Sequence, residues 1–277
     1  MTEYRRWFGF AAVTVAMIFL VGARSGASAG DASAGRDNTC TGGSIAPGVY
    51  SNLKITGVCT VDAGSVKVEH NVTVLSGGAL VALYGGRDKV HASNFNVLGN
   101  VYVRTNGILF LGCEPVNQIC LNDPDQKVGS YFTRDAVGGS IIAKDATAVV
   151  VHLVVVGKGV TMSGGGGGVS CSGSLPPPLS GPPYGDFEDM IIGGGLTITG
   201  WQSCWLGFVR DTITDDVDFN NNVTSDPDGN EMATNSIRGD LKCARNNPSP
   251  QIGDSAGSLS NVFGHARGQC ANAKLVR

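Results

Sequence analysis

Charge is scarce in this chain: Asp, Glu, Lys and Arg make up 16% of its 277 residues, against roughly a quarter in an ordinary soluble domain. No basic patch emerges from its 20 basic and 23 acidic side chains, which argues against a nucleic-acid partner. Only four histidines occur, His70, His91, His152 and His265. They are scattered, and no Cys-x-x-C pair accompanies them, so a thiolate or histidine zinc cluster is not indicated. Beyond the N-terminus no long apolar run is found, so no membrane span is expected in the mature chain. Helical periodicity is almost absent, yet 42% of residues are hydrophobic and fall in short patterned runs, which disfavours disorder.

What the chain has in quantity is glycine, 41 residues, about twice the average frequency. Many tight turns follow from that. At the N-terminus Arg5 and Arg6 precede an apolar or small stretch from Trp7 to Ala23, and Ala27-Ser28-Ala29 follows. This is the layout of a secretory signal peptide cleaved before Gly30. Ala32-Ser33-Ala34 offers a second cleavage site, and a retained anchor is the competing reading. Residues 1–29 are thus expected to be removed and residues 30–277 to form one domain. The mature chain would carry 17 basic and 22 acidic residues, a net charge of −5.

All eight cysteines (Cys40, Cys59, Cys113, Cys120, Cys171, Cys204, Cys243, Cys270) follow the leader. An even number in an exported chain predicts disulfides rather than metal ligands. Eight cysteines allow 105 pairings; locality favours Cys40 with Cys59, Cys113 with Cys120, Cys171 with Cys204, and Cys243 with Cys270.

The runs themselves alternate apolar and polar residues, as in Leu53-Lys54-Ile55 and Asn71-Val72-Thr73-Val74, the period of a half-buried strand. Ala148 to Val156 is apolar throughout, and its valine content and flanking glycine favour a strand over a buried helix. A loose phrase, Asn-x-Val/Ile-x-Gly-Asn/Asp, recurs at Asn94–Val103 and Asn235–Cys243. Its Gly-Asn pairs are expected to supply the positive φ values of a bend. Such units bury their apolar row only by stacking on neighbours. The expected fold is all-β, a right-handed parallel β-helix or solenoid with disulfides, of about seven to nine coils; a β-sandwich is the alternative. A Gly/Pro-rich segment at 163–185, with five glycines from Gly164 and the runs Pro176-Pro177-Pro178 and Pro182-Pro183, is expected to leave the coils as a loop. It is either an insertion held by Cys171 or a proline-rich recognition segment.

Four segments carry a resemblance. They are Pro182 to Asp189, Gly200-Trp-Gln-Ser-Cys-Trp-Leu-Gly207, Asn220 to Glu231, and the ending from Cys243-Ala-Arg-Asn-Asn-Pro to Gln269-Cys270. Together they resemble a group of exported actinobacterial proteins with no established activity. The resemblance implies a secreted protein of β-solenoid character and offers no catalytic residues to transfer.

Candidate chemistry is thin. Asp215, Asp216 and His265 are similar to two pieces of the polygalacturonase pattern, whose paired carboxylates work at a glycosidic bond. No Asn-Thr-Asp or Arg-x-Lys element accompanies them, and on a strand the two aspartates would face opposite sides. Asp226, Asp228 and Asn230 place oxygen ligands at alternate positions, the pattern of a calcium loop or of a plain Asp-Gly turn. Trp201 and Trp205 would share one strand face with Ser203, either to stack on sugar rings or to pack beside a disulfide. No cofactor is expected beyond that possible calcium. The sequence therefore predicts a secreted, non-catalytic structural or surface-binding protein of the cell envelope or matrix, contacting polysaccharide. The alternative is a polysaccharide-active β-helix hydrolase or lyase, and any chemistry is expected between Gly164 and Glu231.

Overall fold

The alternating runs become short parallel strands that stack coil upon coil. The structure is a computed structural model that describes residues 38–253 and 258–275; the signal peptide expected at 1–29 lies outside the described residues. Each coil visits three sheets in turn. Val101–Val103 lies in sheet A, Ile108–Leu111 in sheet B and Ala136–Val137 in sheet C. Sheets A and C have ten strands each and sheet B has nine. The strands of each sheet pair in parallel, so the fold is a three-faced parallel β-helix and not a sandwich of hairpins. Ten strands at about 4.8 Å spacing give a rod about 43 Å long. The coils outnumber those expected because several strands, such as Val155–Val156, Ile191–Ile192 and Thr212–Ile213, are only two residues long. Alternation cannot be read from so short a run.

The core is a set of aliphatic columns. Leu53, Val72, Val101, Ile141, Val160 and Leu196 occupy one register position on successive coils of sheet A, and all are buried. Burial of each such side chain contributes about 1.5–3 kcal/mol. Larger rings fill the later coils, where Phe208 and Phe219 stand 5.8 Å apart and Trp201 is fully enclosed.

Polar ladders hold the three corners. Between sheets C and A, the Asn71 N–H donates to Asn52 Oδ1 (3.1 Å), that of Asn100 to Asn71 Oδ1 (2.9 Å) and that of Ser140 to Asn100 Oδ1 (2.8 Å). Between sheets A and B, Asn222 and Asn246 do the same for the N–H groups of Trp201 and Asn222. Between B and C, Asp211 and Asn235 serve Met190 and Asp211. This corrects the expectation for the Gly-Asn pairs. Positive φ falls instead on residues such as Asp145, Asn221 and Arg245 after sheet A, and Leu153, Asp189, Arg210 and Thr234 after sheet B. Gly99 is needed for space: a Cβ there would meet the His70 carbonyl oxygen at 2.2 Å.

The middle of sheet B, from Ala79–Ala82 to Leu206–Val209, is buried on both faces. Its outer side chains Ala79, Val81, Phe110 and Val150 pack against Leu175 and Leu179 of the Gly/Pro segment and against Cys113, Cys120 and Tyr131 of a second insertion, residues 112–135. The Gly/Pro segment thus lies back on the helix instead of projecting as a free recognition loop. The disulfides are Cys40–Cys59, Cys113–Cys120, Cys171–Cys204 and Cys243–Cys270, the pairing that locality favours. Two staple the terminal coils and two staple the insertions over sheet B.

Candidate functional site

Where the two insertions meet the end of sheet B, the chain gathers its densest group of ionisable side chains. Ala148–His152 pairs with Gly185–Glu188 in a register that sets Val150 beside Asp186 and His152 beside Glu188. The parity of the strand turns Val149 and Val151 into the core and His152 outward, under the insertion. Asp189 and Arg210 follow at the left-handed corner of two successive coils. Glu114 arrives from the Cys113–Cys120 loop.

These groups form one network. His152 Nε2 is 2.8 Å from Asp186 Oδ2, while its Nδ1 lies 3.9 Å from Glu114 and 4.0 Å from Glu188. Arg210 Nε reaches both oxygens of Asp189 at 2.9 and 3.0 Å, and its Nη2 contacts Asp189 at 2.7 Å. Nη2 also donates to Glu188 Oε2, which accepts from Asn117 Nδ2 at 2.5 Å. The His152 side chain is 2% exposed and that of Glu114 9%, whereas Arg210 reaches 34%. A surface hollow of about 380 Å³ on the same side, lined by Arg87, Asp88, His91 and Tyr131, contains none of these residues.

Four carboxyl groups face one guanidinium and one imidazole, and burial sharpens the imbalance. Burial holds the Glu114 and Glu188 carboxyls above the usual glutamate range; for Glu188 the neighbouring Asp186 adds to the effect. For His152 burial works against the charged form, but Asp186, Glu114 and Glu188 outweigh it and push the imidazole up to about 10. Asp189 is lowered, because its bonds to Arg210 overcome burial. Asp211, beneath the cluster, is raised well above the usual range by burial, although it accepts the Met190 N–H at 2.8 Å. Burial and then Asp186 and Glu188 push the Tyr184 phenol up to about 12.

No protein-family model, curated protein or solved structure matches this chain. What the site can do is therefore argued from its own atoms. Among the described residues two sets of His, Cys, Asp or Glu stand close enough to share an ion: Glu114 with His152 and Glu188, and Asp226 with Cys171 and Cys204. The second set is spent, because its two sulfurs are joined to each other.

The residues singled out by sequence lie elsewhere. Asp215 and Asp216 occupy the corner before the strand Val217–Asn220, not a strand with opposed faces. Asp216 Oδ1 accepts the Asp240 N–H at 2.8 Å and Oδ2 pairs with Lys242 Nζ at 2.9 Å. Asp240 in turn accepts the His265 N–H at 2.9 Å. The three candidates therefore meet along one corner, where Asp216 is a rung of the ladder that Asn52, Asn71 and Asn100 begin, Asp215 Oδ1 accepts only the N–H of Asp216, and His265 gives its N–H to the next rung, Asp240. Trp201 is fully buried in the core and its Nε1 donates to Ser203 Oγ at 3.0 Å; it offers no face to a sugar. The chain turns after Ser203, so Leu206 rejoins Trp201 in the core while Trp205 lies outside it. The Trp205 ring covers Gly207, where a Cβ would meet it at 2.3 Å. The two indoles do not share a face. Asp226 accepts the Asp228 N–H at 3.0 Å in a surface turn, while Asn230 is buried and donates to the Pro248 carbonyl at 2.8 Å. This is the geometry of an Asp-Gly turn.

Glu114, His152, Asp186, Glu188, Asp189 and Arg210 were not indicated by any sequence motif. The expected interval from Gly164 to Glu231 holds four of them and leaves out Glu114 and His152. The available signals were a histidine closing a wholly apolar strand and acids at Asp186, Glu188 and Asp189 entering the next.

Proposed function

We propose that the protein acts outside the cell as a non-catalytic, surface-binding β-helix, laid along a cell-wall or matrix polysaccharide. The observation that supports this reading most is the outer face of sheet A, where register sets Thr73, Tyr102, Ile142, Thr161, Thr197 and Asp218 in one row, one residue per coil. All six are at least partly exposed. A second row runs from Lys144 through Ser163 and Thr199 to Asn220. Rows of hydroxyl and amide groups at about 4.8 Å intervals suit a repeating polymer better than a small molecule. β-Branched threonines on a rigid sheet lose little side-chain freedom on binding. Tyr102, with Arg104 5.0 Å from its ring centre, adds an aromatic surface on which a sugar ring can stack. All eight cysteines are in disulfides, as suits an oxidising compartment.

The test is a glycan and cell-wall binding screen with product analysis in the same wells. Retention without turnover, weakened about tenfold or more in Tyr102→Ala and Thr161→Arg, is the expected result; a tenfold loss corresponds to about 1.4 kcal/mol. Equal retention of both variants would remove the sheet A reading. A polysaccharide hydrolase or lyase is the second reading, favoured by two neighbouring carboxyls, Glu114 and Glu188, that burial raises above the usual glutamate range. Product release that disappears in Glu188→Gln would put that reading first.

A further inference from the structure

We propose that Glu114, His152 and Glu188 bind one divalent transition-metal ion, of the zinc or manganese kind, between sheet B and the Cys113–Cys120 loop. The spacing is a little wider than that of ligands around an ion. His152 Nδ1 stands 3.9 Å from Glu114 Oε1 and 4.0 Å from Glu188 Oε2, and the three donor atoms lie within 4.8 Å of one another. These separations exceed a hydrogen bond. Ligands about 2.0–2.2 Å from a tetrahedral ion stand roughly 3.3–3.6 Å apart, so the three donors close in by about half an ångström when they share one.

Two orphaned atoms make an independent observation. Glu114 Oε1 and His152 Nδ1 have no hydrogen-bond partner among the described residues, and their side chains are only 9% and 2% exposed. Buried polar atoms are rarely left so, and these two point at the same space. The far side of the ring is already arranged for ligation. His152 Nε2 donates to Asp186 Oδ2 at 2.8 Å, which leaves Nδ1 directed at the two glutamates, where an ion would take the place of the proton that the imidazolium carries. A carboxylate behind a ligating histidine is the usual device for fixing its tautomer and orientation.

Charge and donor chemistry select the ion. Glu114, Asp186, Glu188 and Asp189 meet only the Arg210 guanidinium and the His152 imidazole, and a divalent ion that displaces the imidazole's Nδ1 proton offsets part of the remaining excess. Arg210 shares Glu188 with the ion and keeps its three contacts to Asp189. An imidazole with two carboxylates suits zinc or manganese, whereas calcium requires six to eight oxygen ligands. No thiolate competes, since no cysteine is free.

The full secreted protein, stripped with a chelator and titrated calorimetrically with Zn²⁺ and separately with Mn²⁺, tests the site. One ion per chain is expected for at least one metal, weakened about tenfold or more in Glu114→Gln and Glu188→Gln and unchanged in His91→Ala and His265→Ala, which remove exposed imidazoles. X-ray absorption on the loaded wild-type protein should show one imidazole among oxygen ligands and no sulfur, a result that stands even if the glutamine variants fail to fold. The proposal is overturned by no saturable binding of either metal below millimolar concentration, by binding that vanishes in His91→Ala or His265→Ala, or by a ligand shell without imidazole. Such a failure leaves the sheet A reading untouched, because Tyr102 and Thr161 belong to another sheet.

Discussion

Replacing Asn235 with alanine should destabilise the β-helix by about 2–6 kcal/mol, a sum of specific lost bonds. Asn235 is fully buried at the corner between sheets B and C. Its Oδ1 accepts the Asp211 N–H at 2.8 Å, and its Nδ2 donates to the Phe208 carbonyl at 2.8 Å and to Ser260 Oγ at 3.2 Å. Alanine strands the Asp211 N–H in a place water does not reach, at a cost of about 1–3 kcal/mol, and forfeits two further bonds at about 0.5–1.5 kcal/mol each. Asn235→Asp separates the donor from the acceptor role. An aspartate still accepts from Asp211, but it sets an acceptor against the Phe208 carbonyl and buries a charge. At pH 7 it should therefore cost at least as much as alanine, and it should recover as the pH falls and the carboxyl regains a proton to donate. Asn96→Ala, on the half-buried outer face of sheet C, serves as the control and should stay within about 0.5 kcal/mol. Urea unfolding followed by far-UV circular dichroism reads the effect as a fall in midpoint at constant slope, about 1 M or more for a slope near 2–3 kcal/mol/M. A loss below about 1 kcal/mol for Asn235→Ala, or an Asn235→Asp protein as stable as wild type at pH 7, would refute the corner-ladder argument.

Asp135 should make stability depend on pH. Burial pushes its carboxyl up to about 8, although it accepts the N–H groups of Phe95 at 2.7 Å and Gly112 at 3.1 Å. The unfolded chain ionises near pH 4 and the folded chain only near 8, so this contribution is full below about 4, falls by at most about 1.4 kcal/mol per pH unit, and is gone above about 8. In Asp135→Asn the drop in urea midpoint between pH 5 and pH 8 should be smaller than in wild type; identical profiles would contradict the assignment. Trp201→Ala should cost about 3–5 kcal/mol through the cavity it opens, seen as a lowered urea midpoint, and a loss under about 1 kcal/mol would mean that this coil collapses onto the space.

The solenoid was legible because its runs carry two signals together, period two along each strand and a repeated phrase at each bend. Leu53-Lys54-Ile55 and Asn71 to Val74 announce strands whose inward residues stack as columns. The strand Ile191–Ile192 was hidden, since two residues cannot display alternation and Ile191 is an exposed aliphatic side chain; the run from Ala148 to Val156, expected as one strand, is two, Ala148–His152 and Val155–Val156, because the corner at Leu153, with positive φ, is itself apolar. The bends were found in the right places for the wrong reason. Gly99 and Asn100 look like a positive-φ pair, but the glycine makes room for the His70 carbonyl and the asparagine carries a rung of the ladder. Space between coils is a property of the stack, and one coil read alone does not contain it. Local cysteine pairing succeeded for the opposite reason: a chain that advances one coil at a time keeps sequence neighbours close.

The ionisable cluster escaped because a parallel β-helix juxtaposes residues by register across coils, not by motif. His152 and Glu188 are opposite each other only because the Gly/Pro segment between their strands leaves the stack and returns in register. Glu114 joins them only because the 112–135 insertion folds over the same face. In a coil of regular length an outward histidine would meet solvent. Here two insertions cover sheet B and remove the water that would otherwise satisfy Glu114, His152 and Asp186. Covering a strand end with an insertion has a large penalty unless the buried polar groups find partners, and Asp189, Glu188 and Arg210 meet that need only in part, since Glu114 Oε1, His152 Nδ1 and Asp186 Oδ1 remain unpaired among the described residues. In this fold the coils of irregular length, more than the repeated phrase, point to where unpaired buried chemistry collects.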